Sequence, residues 1–125
     1  RIYILKNSKL KLLTKDHSLV QRLVDEGYLT LKEAENHPNK NIIMRALGDN
    51  LNVEIDFSKM KISQDDKNLF FICSDGVTTV LDNSELEMIM NINYDNLDII
   101  QSEIASTIDK RGAPDNYTFI LIKVE

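Results

Sequence analysis

The sequence is short of the residues that build covalent or thiolate frameworks. Its 125 residues include one cysteine, Cys73, no tryptophan, two prolines and four glycines. A single cysteine excludes an internal disulfide and a thiolate metal centre, which needs several sulfur ligands. No apolar run approaches the ~18 residues that span a bilayer. The opening Arg1-Ile2-Tyr3-Ile4-Leu5-Lys6 spaces its charges too closely for the apolar core of a secretory signal. A soluble, cytoplasmic chain without a membrane partner is therefore expected. Clustered basic charge is lacking too: 15 lysines and arginines stand against 20 aspartates and glutamates, a formal net charge of −5. A nucleic-acid partner requires grouped cations that displace counterions from phosphates, and the scattered basic residues argue against one.

What is present suits a globular chain. Hydrophobic residues make up 42%, and the length matches one domain or part of one. Residues 2–5 and 9–13 flank the polar Lys6-Asn7-Ser8, which predicts a β-hairpin. The stretch at 1–5 reads as a strand already under way, which hints at sequence upstream. Ser18 with Gln21 and Thr30 with Glu33 have capping-box spacing and predict two short helices within 18–37, the first stopped by Gly27, the second before Pro38. Between Asn50 and Ser63, Val53, Ile55 and Phe57 alternate with Glu54, Asp56 and Ser58, a strand signature, and 64–68 reads as a turn. Leu69-Phe70-Phe71-Ile72-Cys73 is short and apolar enough for a buried strand. Asp82 or Asn83 can cap a helix carrying Leu86, Ile89 and Met90. Leu97, Ile100, Ile104 and Ile108 form the stripe of a second helix, which Gly112 ends. Tyr117–Val124 closes the chain as a β-rich run. No repeat, low-complexity linker or internal domain boundary is evident. Hairpin strands with helices segregated between them predict an α+β layered fold.

Two aspartates stand out by position. Asp75 follows the 69–73 strand and precedes Gly76; Asp115 precedes the last strand. If those strands are antiparallel neighbours, both carboxylates reach the same sheet end, where a hard cation such as Mg²⁺ or Mn²⁺ relieves their repulsion. Gly76 would allow close backbone approach. Asp after a strand and Asp-Asn before one are also frequent turn formers, and on position alone the turn role has more weight. Asp65-Asp66 reads as a solvated turn. His17 and His37 are 20 positions apart, without ligand spacing between them, and read as structural loop histidines. Cys73 reads as a buried inert thiol. Ser74 has no evident base partner and no Gly-x-Ser-x-Gly around it. The Met44-Arg45 pair could face a phosphate, but Arg45 reads more readily as an isolated surface charge.

Taken in order, several strings resemble the metal-dependent protein phosphatase family of the protein phosphatase 2C type (PPM). Leu69-Phe70-Phe71-Ile72-Cys73-Ser74-Asp75-Gly76-Val77-Thr78 resembles the family's apolar strand ending in Ser-Asp-Gly-Leu-Thr. Asp115-Asn116-Tyr117-Thr118 resembles its Asp-Asn-x-Thr. Lys15–Val20 and His37–Gly48 are similar to the intervening flap of bacterial members, and Arg1-Ile2-Tyr3 to the strand after the family's Gly-Asp-Ser.

The resemblance implies that residues 1–125 are the C-terminal half of one catalytic domain, part of an α-β-β-α sandwich, with 17–48 as a flap-like helical segment. It implies hydrolysis of phosphoserine or phosphothreonine by metal-activated water at a binuclear Mg²⁺ or Mn²⁺ centre, with Asp75 and Asp115 as metal ligands. The implied partners are phosphoprotein substrates of a serine/threonine kinase, and the missing N-terminal half or a second copy of the chain. Thr79 departs from the acidic or amide residue common at its position. The family's other ligands and its phosphate-binding arginine belong to the N-terminal half, so these residues alone are expected to be inactive. A pseudophosphatase-like regulatory or interaction module is the rival reading, and a structural domain with turn-forming aspartates is another.

Overall fold

The computed structural model describes residues 1–48, 51–63 and 68–124. They fall into two compact units, Arg1–Thr14 with Lys61–Glu125, and Lys15–Met60.

In the first unit the expected hairpin forms from β1 (Ile2–Lys6) and β2 (Lys9–Leu12). Asn7 and Ser8 both take positive φ, 49° and 65°, the backbone twist that a tight two-residue hairpin demands. The apolar run becomes β3 (Asn68–Cys73), paired on one side with β1 and on the other with β4 (Phe119–Val124). The sheet order is β2-β1-β3-β4, antiparallel throughout. β4 begins two residues later than its composition suggests, because Tyr117 and Thr118 make other bonds.

Three helices complete the unit: α3 (Asp75–Thr78), α4 (Asn83–Ile92) and α5 (Leu97–Lys110). The one-turn α3 has too few residues to show a period and was not expected. Asp82 caps α4 in a complete capping box with Glu85. Alternation along β1 and β3 turns Tyr3, Leu5, Leu69 and Phe71 to one face, where they meet Leu86, Met90, Ile100, Ile104 and Ile108 from the helices. All nine are at most 2% exposed, so this is the core. Cys73 is buried in it, as expected. Alternate residues Ile2, Ile4, Phe70, Ile72, Ile120 and Ile122 turn to the opposite face, where Ile4 is buried at 3% exposure while Ile120 and Ile122 on β4 are 57% and 44% exposed. The fold is thus α+β, one antiparallel sheet with a helical layer on one face.

In the second unit, α1 (Leu19–Asp25) starts where the Ser18 side chain accepts the Gln21 amide. Gly27 ends it at φ 80°. α2 (Leu31–Glu35) follows, with the Thr30–Glu33 box complete and a stop before Pro38. The strand expected over 50–63 is corrected: 51–63 form no strand, and residue 50 lies outside the described residues. Alternation marks a strand only when backbone pairs and one face is covered. Here Val53, Ile55 and Phe57 are 51%, 76% and 82% exposed, while Glu54 and Asp56 are held by ion pairs. The turn expected at 64–68 falls on 64–67, outside the described residues, and Asn68 already belongs to β3.

The last turn of α5 is fastened to α4. Arg111 donates to the Val80 carbonyl at 2.8 Å and straddles the Glu85 carboxylate with two guanidinium nitrogens. Those bonds first, and the Asp82 amide second, hold the Glu85 carboxyl down to about 2 from 4.5. A depressed folded-state pKa means stability fully present above 4.5 and lost as pH falls towards about 2. Glu85→Gln is expected to cost about 1 kcal/mol at neutral pH, the scale of a partly exposed ion pair with a cap bond. Urea melts of the two proteins should begin to converge below pH 4.5 and coincide near pH 2. A gap unchanged in acid would show that the carboxylate charge is not what stabilises.

Candidate metal centre

β3 and β4 run antiparallel, and their last paired residues at one end are Cys73 and Phe119. One further rung forms with a side chain. The Ser74 amide donates to the Thr118 carbonyl at 3.0 Å, and Ser74 Oγ accepts the Thr118 amide at 3.1 Å. Ser74 is thus a clamp across the strand ends, a role that its lack of a base partner left open. Just past that rung lie Asp75 on one strand's exit and Asp115 on the other's approach. The antiparallel neighbours that would bring both aspartates to one sheet end are therefore present, and both residues are exposed there.

Gly76 presses the two segments together. A Cβ built on it would lie 2.2 Å from the Asn116 carbonyl oxygen, a separation that real side chains do not tolerate. Only a residue without Cβ lets the Asp75 turn approach the Asp115 turn so closely. On the Asp115 side, its Oδ1 accepts the amide of the next residue, Asn116, at 2.7 Å. Tyr117 Oη donates to Asp109 Oδ1 on α5 at 2.9 Å. That bond, and secondarily burial, raises the Tyr117 hydroxyl above its ordinary pKa, so it remains a donor. Neither Ser74–Thr118 nor Tyr117–Asp109 has a sequence signature: each depends on register or on a loop's path.

Among the described residues, no group of three or more His, Cys, Asp or Glu is set to hold a metal ion. Asp75 and Asp115 are an all-oxygen pair, a donor type that fits Mg²⁺ or Mn²⁺ and fills part of a six-coordinate shell.

The Lys15–Met60 unit contains a second polar cluster. Arg45 Nη1 donates to Asp56 Oδ1 at 3.1 Å, and Nη2 lies 3.2 Å from Glu54 Oε2. His17 Nε2 sits 2.8 Å from Asp56 Oδ2. The His17 bond, then Arg45, lowers the Asp56 pKa. Arg45, read from the sequence as an isolated surface charge, is instead the centre of this network. His37 Nδ1 accepts the Asn39 amide, a local structural role. An open cleft of about 610 Å³ surrounds the Arg45 cluster. Lys15 and Arg22 on its wall are paired with Asp25 and Glu26 at 2.6 and 2.8 Å. With its cations matched to carboxylates, the cleft has no surplus charge to draw an anion.

No protein-family model matches the chain. Similarity to individual proteins is extensive. The serine/threonine phosphatase Stp of Listeria welshimeri is 36% identical over 123 residues, 98% of this chain and 48% of that protein. The solved S. agalactiae serine/threonine phosphatase superposes at TM-score 0.89 with 35% identity, over 100% of this chain and 50% of that one. The catalytic domain of the serine/threonine protein phosphatase PstP, solved with two manganese ions, superposes at TM-score 0.75 with 26% identity, over 100% of this chain and 50% of that one. The chain spans about half the length of the curated relatives it matches. Over its whole length it is a homologue of the C-terminal half of bacterial serine/threonine phosphatases of the metal-dependent PPM type.

Proposed function

We propose that residues 1–125 form the C-terminal half of the catalytic domain of a metal-dependent protein serine/threonine phosphatase, with 17–48 as a flap-like segment. Its substrates are phosphoproteins modified by a serine/threonine kinase, in the cytoplasm. The observation that carries this reading is that two exposed aspartates flank the same end of the β3–β4 pair, just beyond the Ser74–Thr118 rung. The manganese pair in the PstP structure supports Mg²⁺ or Mn²⁺ as the cofactor.

Asp75 and Asp115 are the metal ligands of this half. Divalent cations held there by Asp75 and Asp115 would supply a water activated at neutral pH and would neutralise phosphoryl charge. The chain's own part is to hold two carboxylates at a fixed offset, with Gly76 against Asn116 and Ser74 against Thr118. Arg45 is paired with Asp56 and Glu54. Two carboxylates do not complete two six-coordinate shells, so these 125 residues alone bind metal weakly and turn over no phosphoester. The apolar sheet face of Ile2, Phe70, Ile72, Ile120 and Ile122 receives the second sheet of the sandwich.

Three outcomes are expected. In the full chain as encoded, Mn²⁺ should raise the melting temperature and support hydrolysis of a phosphothreonine peptide. Asp75→Asn and Asp115→Asn should each remove most of the shift and lower turnover at least about a hundredfold, the loss of an oriented ligand. No Mn²⁺ response in the parent protein would sink the reading. Gly76→Ala should destabilise by about 1–3 kcal/mol, as overpacking does, and weaken Mn²⁺ binding with it. Unchanged melting and affinity would mean that the close approach is not needed. Residues 1–125 expressed alone should self-associate through the open face, and sedimentation of a stable monomer at high concentration would count against it.

A further inference from the structure

We infer that Tyr117 is a positioning residue for Asp115, acting through its hydroxyl on Asp109 of α5. The inference rests on the metal-ligand reading of Asp115 and deepens it.

Asp115 is exposed on a stretch without regular structure between Lys110, the end of α5, and Phe119, the start of β4. A carboxylate on such a stretch samples many orientations, and a ligating one is selected at an entropic cost unless tethers restrict it beforehand. The upstream arm is tied to the helix: the Gly112 and Ala113 amides donate to the Asp109 and Ile108 carbonyls at 3.0 and 3.1 Å. The downstream arm is tied to the sheet through Thr118 and Ser74. Tyr117 joins the two. Its hydroxyl reaches back from the downstream arm to the Asp109 carboxylate, on the helix from which the upstream arm leaves. The bond spans eight positions and closes the loop on itself, with Asp115 at its crown.

The ring and the hydroxyl do different things. The ring is partly buried and packs against the margin of the core. The hydroxyl bond is exposed, and a bond of that kind adds little to global stability. Removing the oxygen while keeping the ring therefore separates packing from orientation.

The test uses the full chain as encoded, Mn²⁺ alone as the probe, and titration calorimetry beside metal-free thermal melts. Tyr117→Phe should raise the Mn²⁺ dissociation constant about three- to tenfold, below the ~10–100-fold of groups bonded directly to a ligand, with the metal-free melt nearly unmoved. Asp109→Ala should do the same, and the double variant should be no worse than either. Asp109→Asn keeps an acceptor oxygen and should restore most of the affinity. An unchanged dissociation constant in Tyr117→Phe, with Mn²⁺ bound by the parent and lost in Asp115→Asn, overturns the inference and leaves the ligand reading intact. Effects of the two single variants that simply add do likewise. If the parent does not bind Mn²⁺, or Asp115→Asn binds as the parent does, the ligand reading fails and the inference with it.

Discussion

Six residue pairs, from Asn68↔Val124 to Cys73↔Phe119, lock β3 against β4, and the antiparallel sense of that pairing decides where each strand's flanking loop emerges. Had the strands run parallel, the turn after β3 and the turn before β4 would sit at opposite ends of the sheet. Asp75 and Asp115, 40 positions apart in sequence, would then have no relation. The same register sets the faces: Phe71 and Phe119 lie on the helix side, ring centroids 5.6 Å apart, and a slip by one residue would send Phe119 to the open face. The aromatic pair on the helix side and the exposed carboxylates are consequences of one hydrogen-bond ladder.

That ladder was legible in part. The apolar 69–73 run and the β-rich 117–124 run could each be read as strands, because buried strands advertise themselves by composition. The Thr30–Glu33 capping box formed as read, while at Ser18–Gln21 only the Ser18 half formed and the Gln21 side chain bonds Asp25 instead; such caps are legible because they join residues three apart and need no distant partner. The stripe Ile100, Ile104, Ile108 is wholly buried for a similar reason: a helix satisfies its own backbone, and only its face awaits a neighbour.

The segment at 51–63 was misread for the opposite reason. Its alternation is real, but a strand is a relation between two chains, and period alone cannot supply the partner. Val53, Ile55 and Phe57 remain outward, while the alternate residues Glu54 and Asp56 are drawn to Arg45. Arg45 was read as idle because its partners lie nine and eleven positions away, beyond any local pattern. Ser74 and Tyr117 were opaque in the same way. At the candidate site, residue types could be named from the sequence, while the bonds that orient them come from tertiary closure.

The one-sided sheet bears on how such a site would work. α4 and α5 cover one face; on the opposite face Ile4 is buried while Ile120 and Ile122 on β4 stay substantially exposed, so near β4 an apolar surface and a pair of carboxylates are exposed together. On the phosphatase reading one event completes both. A second sheet laid on the open face would bring its own loops to the rim where Asp75 and Asp115 lie, and cations shared across that rim would bind the assembled form more tightly than this half alone. Whatever binds the assembled state alone stabilises it by mass action, with a strength set by the ratio of free ligand to dissociation constant. Metal affinity and closure of the sandwich then become one linked equilibrium. Tethers such as Ser74–Thr118 and Tyr117–Asp109 would act on both sides of it, because a carboxylate already aimed at the rim reduces the ordering cost that either step must meet.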